Sequence, residues 1–247
     1  MTRPITFGFG HGDNIAAQDQ EKIGSVDPFM PTGLGERGTS KRGINSYVNF
    51  FKSFSFSPKS ASYGVLNMKV LGSIIARLGS KRLPYKNLLP FAGKPMLGLG
   101  IEKLRAAQRV DAIVVSTESE LIARVARDFG AEVLMRPAEL ARDDVPSVPV
   151  FQHIVRNYPC DIHVNFNINF PLCEPAVIDR AVELVAESGE VLSRPYAVWA
   201  QTAECLMDYG DPWQITALQF DDERAGHIDV HTEADLLAAY RWVQNAG

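Results

Sequence analysis

From Met68 onward, apolar residues fall into two alternating patterns. Continuous apolar runs bounded by polar or glycine residues read as buried strands: KVLGSIIA, DAIVVST, AEVLM and DIHVNFNI. Between them, apolar residues recur three and four apart, the period of a helix with one buried face. These segments are KPMLGLGIEKLRAAQ, SELIARVARDFG, SVPVFQHIVRNY and EPAVIDRAVELVAESG. Two of them stop at a glycine, Gly130 and Gly189, the residue that most easily ends a helix. YAVWA, WQITALQF and HIDV read as further strands, and EADLLAAYRWVQ as a closing helix. Strands alternating with helices predict βαβ units: an α/β domain with a mainly parallel sheet covered on both faces, hence three layers. No internal repeat interrupts this pattern.

Upstream the pattern changes. Residues 1–67 hold 9 of the 19 glycines, in stretches such as GFGHGD, PTGLGERGTSKRG and FFKSFSFSPKSASYG, and no period persists there. GFGHGD lacks the spacing and the strand–helix context of a dinucleotide fingerprint. The expectation is an N-terminal extension, disordered or outside the domain, followed by a catalytic domain over 68–247. Phe50, Phe51, Phe54 and Phe56 could instead dock on a neighbouring surface. Composition fits a globular chain, at 46% hydrophobic and 22% charged over 247 residues. No apolar run approaches the roughly 20 residues that span a bilayer, and the N-terminus lacks the features of a secretory signal. Cys160, Cys173 and Cys205 are odd in number and widely spaced, which points to inert thiols in a reducing cytoplasm. A net charge of −4 argues against nucleic acid as a partner.

Against that acidic balance, SIIARLGSKRLPYKN (73–87) gathers Arg77, Lys81, Arg82 and Lys86 just after the first strand. In an open parallel sheet, ligands bind beyond the carboxyl ends of the strands, so the cluster belongs at the binding edge. Gly79 and Ser80 let the backbone turn its N–H groups toward an anion. Arg77 can grip two phosphate oxygens with its fork, while Lys81 and Lys86 act as point charges. Together they suit a polyphosphate, although the spacing alone fits a solvated loop equally well. A Walker A loop is excluded, because no G-x-x-x-x-G-K-[ST] occurs.

IIARLGSKRLPYKN, FAGKPML, IVVSTESELIARVARDFGAEVLMRPAELARDDVPSV and HIDVHTEADL closely resemble the CMP-sugar synthetases. These are cytidylyltransferases for N-acylneuraminate and related 2-keto-3-deoxy sugar acids, including 3-deoxy-manno-octulosonate. The resemblance covers about 68–243 and is strongest over 73–148. It implies a Rossmann-like nucleotidyltransferase fold that uses CTP and Mg²⁺ and releases pyrophosphate. It implies further that Arg77, Ser80 and Lys81 hold the triphosphate. Lys86 would lie near the α- and β-phosphates, Asn87 would help place the nucleotide, and Arg136 would lie near the cleft. Arg77 and Lys86 are the expected catalytic cations, since charge grows on the leaving pyrophosphate in the transition state. The alternative for Arg136 is an ion pair with Glu139 or Asp143.

The chain departs from the family pattern in three places. Asn167 stands at a position the family fills with glutamine, and Asn169 at one filled with threonine or aspartate. Asp229 matches the first aspartate of the metal-binding Ile-Asp-Ile-Asp-Thr motif, but the second is His231. Mg²⁺ prefers oxygen ligands, and imidazole suits Mn²⁺, Zn²⁺ or another transition ion. His231 could instead cap the helix near Thr232, or His227 could join Asp229 and His231 on one strand face. Thirdly, a long segment that supplies sugar contacts and the usual homodimer interface is missing before SRPYAVWA. The expected function is CMP transfer from CTP to a sugar acid for glycan biosynthesis. The alternatives are transfer to a smaller acid such as a phosphonate, or a nucleotide-binding homologue with impaired catalysis.

Overall fold

The computed structural model describes residues 68–246. Residues 1–67, including Phe50 to Phe56 and the expected extension, lie outside the described residues. The chain runs β1 (Val70–Ile75), β2 (Pro90–Phe91), β3 (Lys94–Pro95), α1 (Met96–Ala106), β4 (Ala112–Thr117), α2 (Glu120–Asp128) and β5 (Glu132–Met135). It continues through α3 (Ser147–Asn157), β6 (Ile162–Phe166), α4 (Pro175–Ser188), β7 (Glu190–Arg194), β8 (Val198–Thr202), α5 (Ala203–Met207), β9 (Leu218–Asp221) and α6 (Glu233–Ala246).

Seven strands form one sheet in the order β5-β4-β1-β6-β8-β7-β9. β1 lies inside it, parallel to β4 on one side and to β6 on the other. β8 runs antiparallel to both β6 and β7, and β9 pairs parallel with β7. The expected mainly parallel α/β sheet is therefore present, with one reversed strand.

The strand residues are apolar on both faces because helices cover both. Val70 and Ile74 pack with α1, α2 and α4, through Leu97, Ile101, Ile122, Val177 and Ala181. Leu71, the next residue along the pleat, packs on the opposite side with Phe151 and Ile154 of α3 and Leu206 of α5. A third apolar cluster ties α6 to the β2–β3 hairpin and the basic loop, through Leu83, Phe91, Met96, Val230 and Leu236. Local signals set the helix ends. Ser119 caps α2 by accepting from the Ile122 amide, and Pro175 opens α4, where its missing N–H costs nothing. Gly130 and Gly189 follow α2 and α4 with φ of 74° and 79°, as expected for helix stops.

Two expectations about strands need correction, and one strand was not expected. HIDV is not a strand: it bends at His227 and pairs with no described strand, and the Val230 N–H bonds to the Asn169 carbonyl at 2.8 Å. Only the last part of WQITALQF, together with Asp221, forms a strand. EVLSR, directly after Gly189, is a strand that the pattern did not reveal. Among the described residues, no helix is long and apolar enough to cross a membrane.

Candidate active site

The site lies at the carboxyl ends of β1, β4, β5 and β6. From β1 the chain winds outward to β4 and β5 and then crosses back through α3 to β6 on the other side of β1; the order of strands reverses there, which is where open α/β sheets bind ligands. The basic loop spans this point. Asn87, buried, donates from Nδ2 to the Arg77 carbonyl at 2.8 Å and so ties the end of the loop to its start. Its observed role is to fix the loop backbone. The Ser80 N–H bonds to the Leu78 carbonyl at 3.0 Å, giving a tight bend beside Gly79.

The loop's cations face two ways. Toward β4, Arg77 and Lys81 pair with the two carboxylate oxygens of Asp143. These cations hold the Asp143 carboxyl below its usual range, with the Lys81 hydrogen bond the largest cause. A cleft of about 550 Å³ opens there, lined by Arg77, Gly79, Glu118, Arg142, Asp143 and Asp144. Toward β6, Lys86 Nζ donates to Asn169 Oδ1 and, at 3.2 Å, to the Val230 carbonyl. Burial lowers the Lys86 pKa to about 8; Asp229 opposes that shift, and Arg82 and Arg77 add to it.

Beyond Lys86 lie the candidate metal residues. His231 Nε2 and Asp229 Oδ1 are 3.0 Å apart, and Arg82 Nη2 lies 2.7 Å from His231 Nδ1. A guanidinium can only donate, so Nδ1 accepts and the ring is the neutral tautomer with its proton on Nε2. Burial, with Lys86 and Arg82 nearby, lowers the His231 pKa despite Asp229, which agrees with a neutral ring. In this tautomer His231 Nε2 donates to Asp229 Oδ1, and a divalent cation would have to displace that proton; the two atoms then stand at the spacing of about 3 Å that neighbouring ligands take around an octahedral ion with bonds of about 2.1 Å. His227 does not join them: its ring meets Trp242 edge to face, with centroids 6.1 Å apart. Among the described residues, no group of three His, Cys, Asp or Glu side chains is placed to hold a metal. Two protein ligands would leave the remaining positions to phosphate and water. The helix cap is not His231 but Thr232, whose hydroxyl accepts from the Asp235 amide at 3.3 Å. Asp235 in return accepts from the backbone of His231 and Thr232.

Asn167 and Arg136, both at family positions, brace the site in this structure. Asn167 donates to the Tyr196 carbonyl at 3.1 Å and accepts from the Asn169 N–H at 3.2 Å, which shapes the turn after β6. Arg136 is buried and pairs with Glu118, at 3.2 Å, rather than with Glu139 or Asp143. Burial lowers the Arg136 pKa, and Glu118 works against that shift. Glu118 was not singled out from the sequence, and Asp143 was named only as a possible partner of Arg136. The available signal was an acidic residue directly after β4, at the binding edge of the sheet.

With this geometry in view, comparison with known proteins is decisive for the family. The model for the family described as Cytidylyltransferase matches residues 72–220. The chain belongs to that family. It is 36% identical over 114 residues to 3-deoxy-manno-octulosonate cytidylyltransferase of Zea mays, covering 46% of this chain and 38% of the relative. It is 31% identical over 117 residues to N-acylneuraminate cytidylyltransferase of Oncorhynchus mykiss, covering 47% and 27%. The chain thus spans less than half the length of these relatives. Among solved structures, it resembles CMP:2-keto-3-deoxy-manno-octonic acid synthetase complexed with CTP. There the TM-score is 0.58 at 17% identity, over 72% of this chain and all of the other. A Mycobacterium tuberculosis protein solved with manganese gives 0.52 at 18% identity, over 70% and 98%. Both likenesses are of fold.

Proposed function

We propose that residues 68–247 form a CTP-dependent cytidylyltransferase domain that transfers CMP to a sugar acid, either an N-acylneuraminate or a related 2-keto-3-deoxy acid. The carrying observation is the basic loop across the switch point of a cytidylyltransferase-family sheet, with Arg77 and Lys81 on one side and Lys86 on the other. In the reaction, an acceptor hydroxyl oxygen bonds to the α-phosphorus, and the bond from that phosphorus to the bridging oxygen breaks. The hydroxyl proton passes to solvent and pyrophosphate leaves. Arg77 and Lys81 exchange Asp143 for phosphate oxygens, while Gly79 and Ser80 form the bend beneath them. Lys86, cationic below pH 8, meets charge that grows on the bridging oxygen and so favours the transition state over the ground state. Asp229 and His231 would hold a divalent ion, Mg²⁺ or a softer one such as Mn²⁺, which would supply further charge neutralisation at the phosphates.

A smaller acceptor such as a phosphonate is the second reading. It is favoured by the single residue, Gly189, between α4 and β7 and by the tight turn 195–197 between β7 and β8, which leave little chain to build a sugar pocket. Pyrophosphate release from CTP in the presence of a panel of sugar acids and phosphonates tests both. Release with a sugar acid supports the first reading, release with phosphonates alone the second, and release with neither refutes both.

A further inference from the structure

We propose that Glu118 and Arg136 act as a pair of positioning residues that aim Arg77 at the nucleotide by holding the backbone on both sides of it; this rests on the nucleotide reading above. The sheet pairing of β1 ends at Ile75, and the chain must then turn into the basic loop. Ala76 still reaches β4, its N–H donating to the Ser116 carbonyl at 3.0 Å. Beyond that point the anchoring passes to side chains. Glu118 Oε1 accepts from the Leu78 N–H at 2.8 Å. Arg136 Nη2 donates to Glu118 Oε2 at 3.2 Å and to the Ala76 carbonyl at 3.5 Å. The residues before and after Arg77 are thus bound to one ion pair, whose members come from the ends of two other strands.

The pair is unusual for a surface loop. The Arg136 side chain is only 4% exposed, so its charge depends on a partner, and Glu118 is the carboxylate in contact with it. Arg136 Nε has no partner among the described residues, so the guanidinium holds its place through Nη2. Glu118 also lines the cleft beside Arg77. A loop ordered before its ligand arrives binds with less conformational loss, and the pair provides that order at the one residue whose fork must face phosphate. Neither residue is required to touch the nucleotide in this role.

The test is a double-mutant cycle between Glu118→Ala and Arg77→Ala, read by CTP calorimetry, with hydrogen exchange followed at the Leu78 amide. Glu118→Ala is expected to weaken CTP binding about tenfold when Arg77 is present and less than about twofold in the Arg77→Ala background. It is also expected to speed Leu78 exchange. Glu118→Gln, which keeps an oxygen for the Leu78 N–H, is expected to recover part of both, and it replaces the alanine variant in the cycle if that variant does not fold. Equal weakening in both backgrounds, or unchanged Leu78 exchange, overturns the proposal whatever the wild type binds. If Leu78 exchange rises but the wild-type protein does not bind CTP, the nucleotide reading fails, and this role falls with it.

Discussion

The ammonium of Lys86 sits between Asn169 and Val230 with a pKa of about 8, against an ordinary value of 10.5. Between those values the unfolded chain binds the extra proton, so the stability contribution of Lys86 rises with pH there. Below pH 8 the folded protein carries the cost of a half-buried charge, which is the charge the phosphates require. CTP binding is therefore expected to weaken as pH rises through 8. Lys86→Ala is expected to lower kcat by roughly a hundredfold while weakening CTP binding less than about tenfold, as for a cation that meets growing charge. It should also raise the melting temperature of the unliganded protein at pH 7, a gain that narrows above pH 8. Stopped-flow turnover and calorimetry check this, and equal losses in both would argue for uniform binding only. At the neighbouring position, His231→Asp replaces a neutral imidazole 3.0 Å from Asp229 with a second carboxylate. Activity profiles are expected to move toward Mg²⁺ and away from Mn²⁺ or Zn²⁺. An unchanged profile would make His231 a packing partner of Arg82.

Helix α1 shows how an element far from the charges shapes the site. A Cβ added at Gly100 would lie 2.4 Å from Ile168 Cγ2. Ile168 stands between Asn167 and Asn169, so a push there reaches the turn that holds Lys86. Gly100→Ala is expected to cost about 1–3 kcal/mol of stability and to weaken CTP binding. A chemical denaturation curve coincident with wild type would show that Ile168 moves aside freely. Element by element, the regular strands and helices were legible because burial on both sheet faces and on one helix face imposes distinct periods. HIDV was misread because a short loop segment that buries alternate residues shows the same brief alternation as a strand. Without a sheet to set alternate faces, His227 turned to Trp242. EVLSR was missed because it begins directly after the glycine that ends α4, with no separating turn.

Over the whole molecule, an acidic chain concentrates positive charge at one edge of its sheet, and the fold explains how. β1 delivers the basic loop to the switch point, β4 and β5 bring Glu118 and Arg136 behind it, and β6 brings Asn169 in front. The loop itself could be read from residues adjacent in sequence. Its partners could not, because Asp143 and Glu118 meet Arg77 and Leu78 from 66 and 40 positions away in the chain, and only the topology brings them together. On the reading proposed above, this edge holds the triphosphate of CTP. Calorimetric titration of CTP into the wild type and Arg77→Ala tests it most directly. The wild type is expected to bind measurably, with binding weakened by more than about 1 kcal/mol in the variant, on the order of a lost charge-assisted hydrogen bond; equal affinity in the two proteins would place the triphosphate elsewhere.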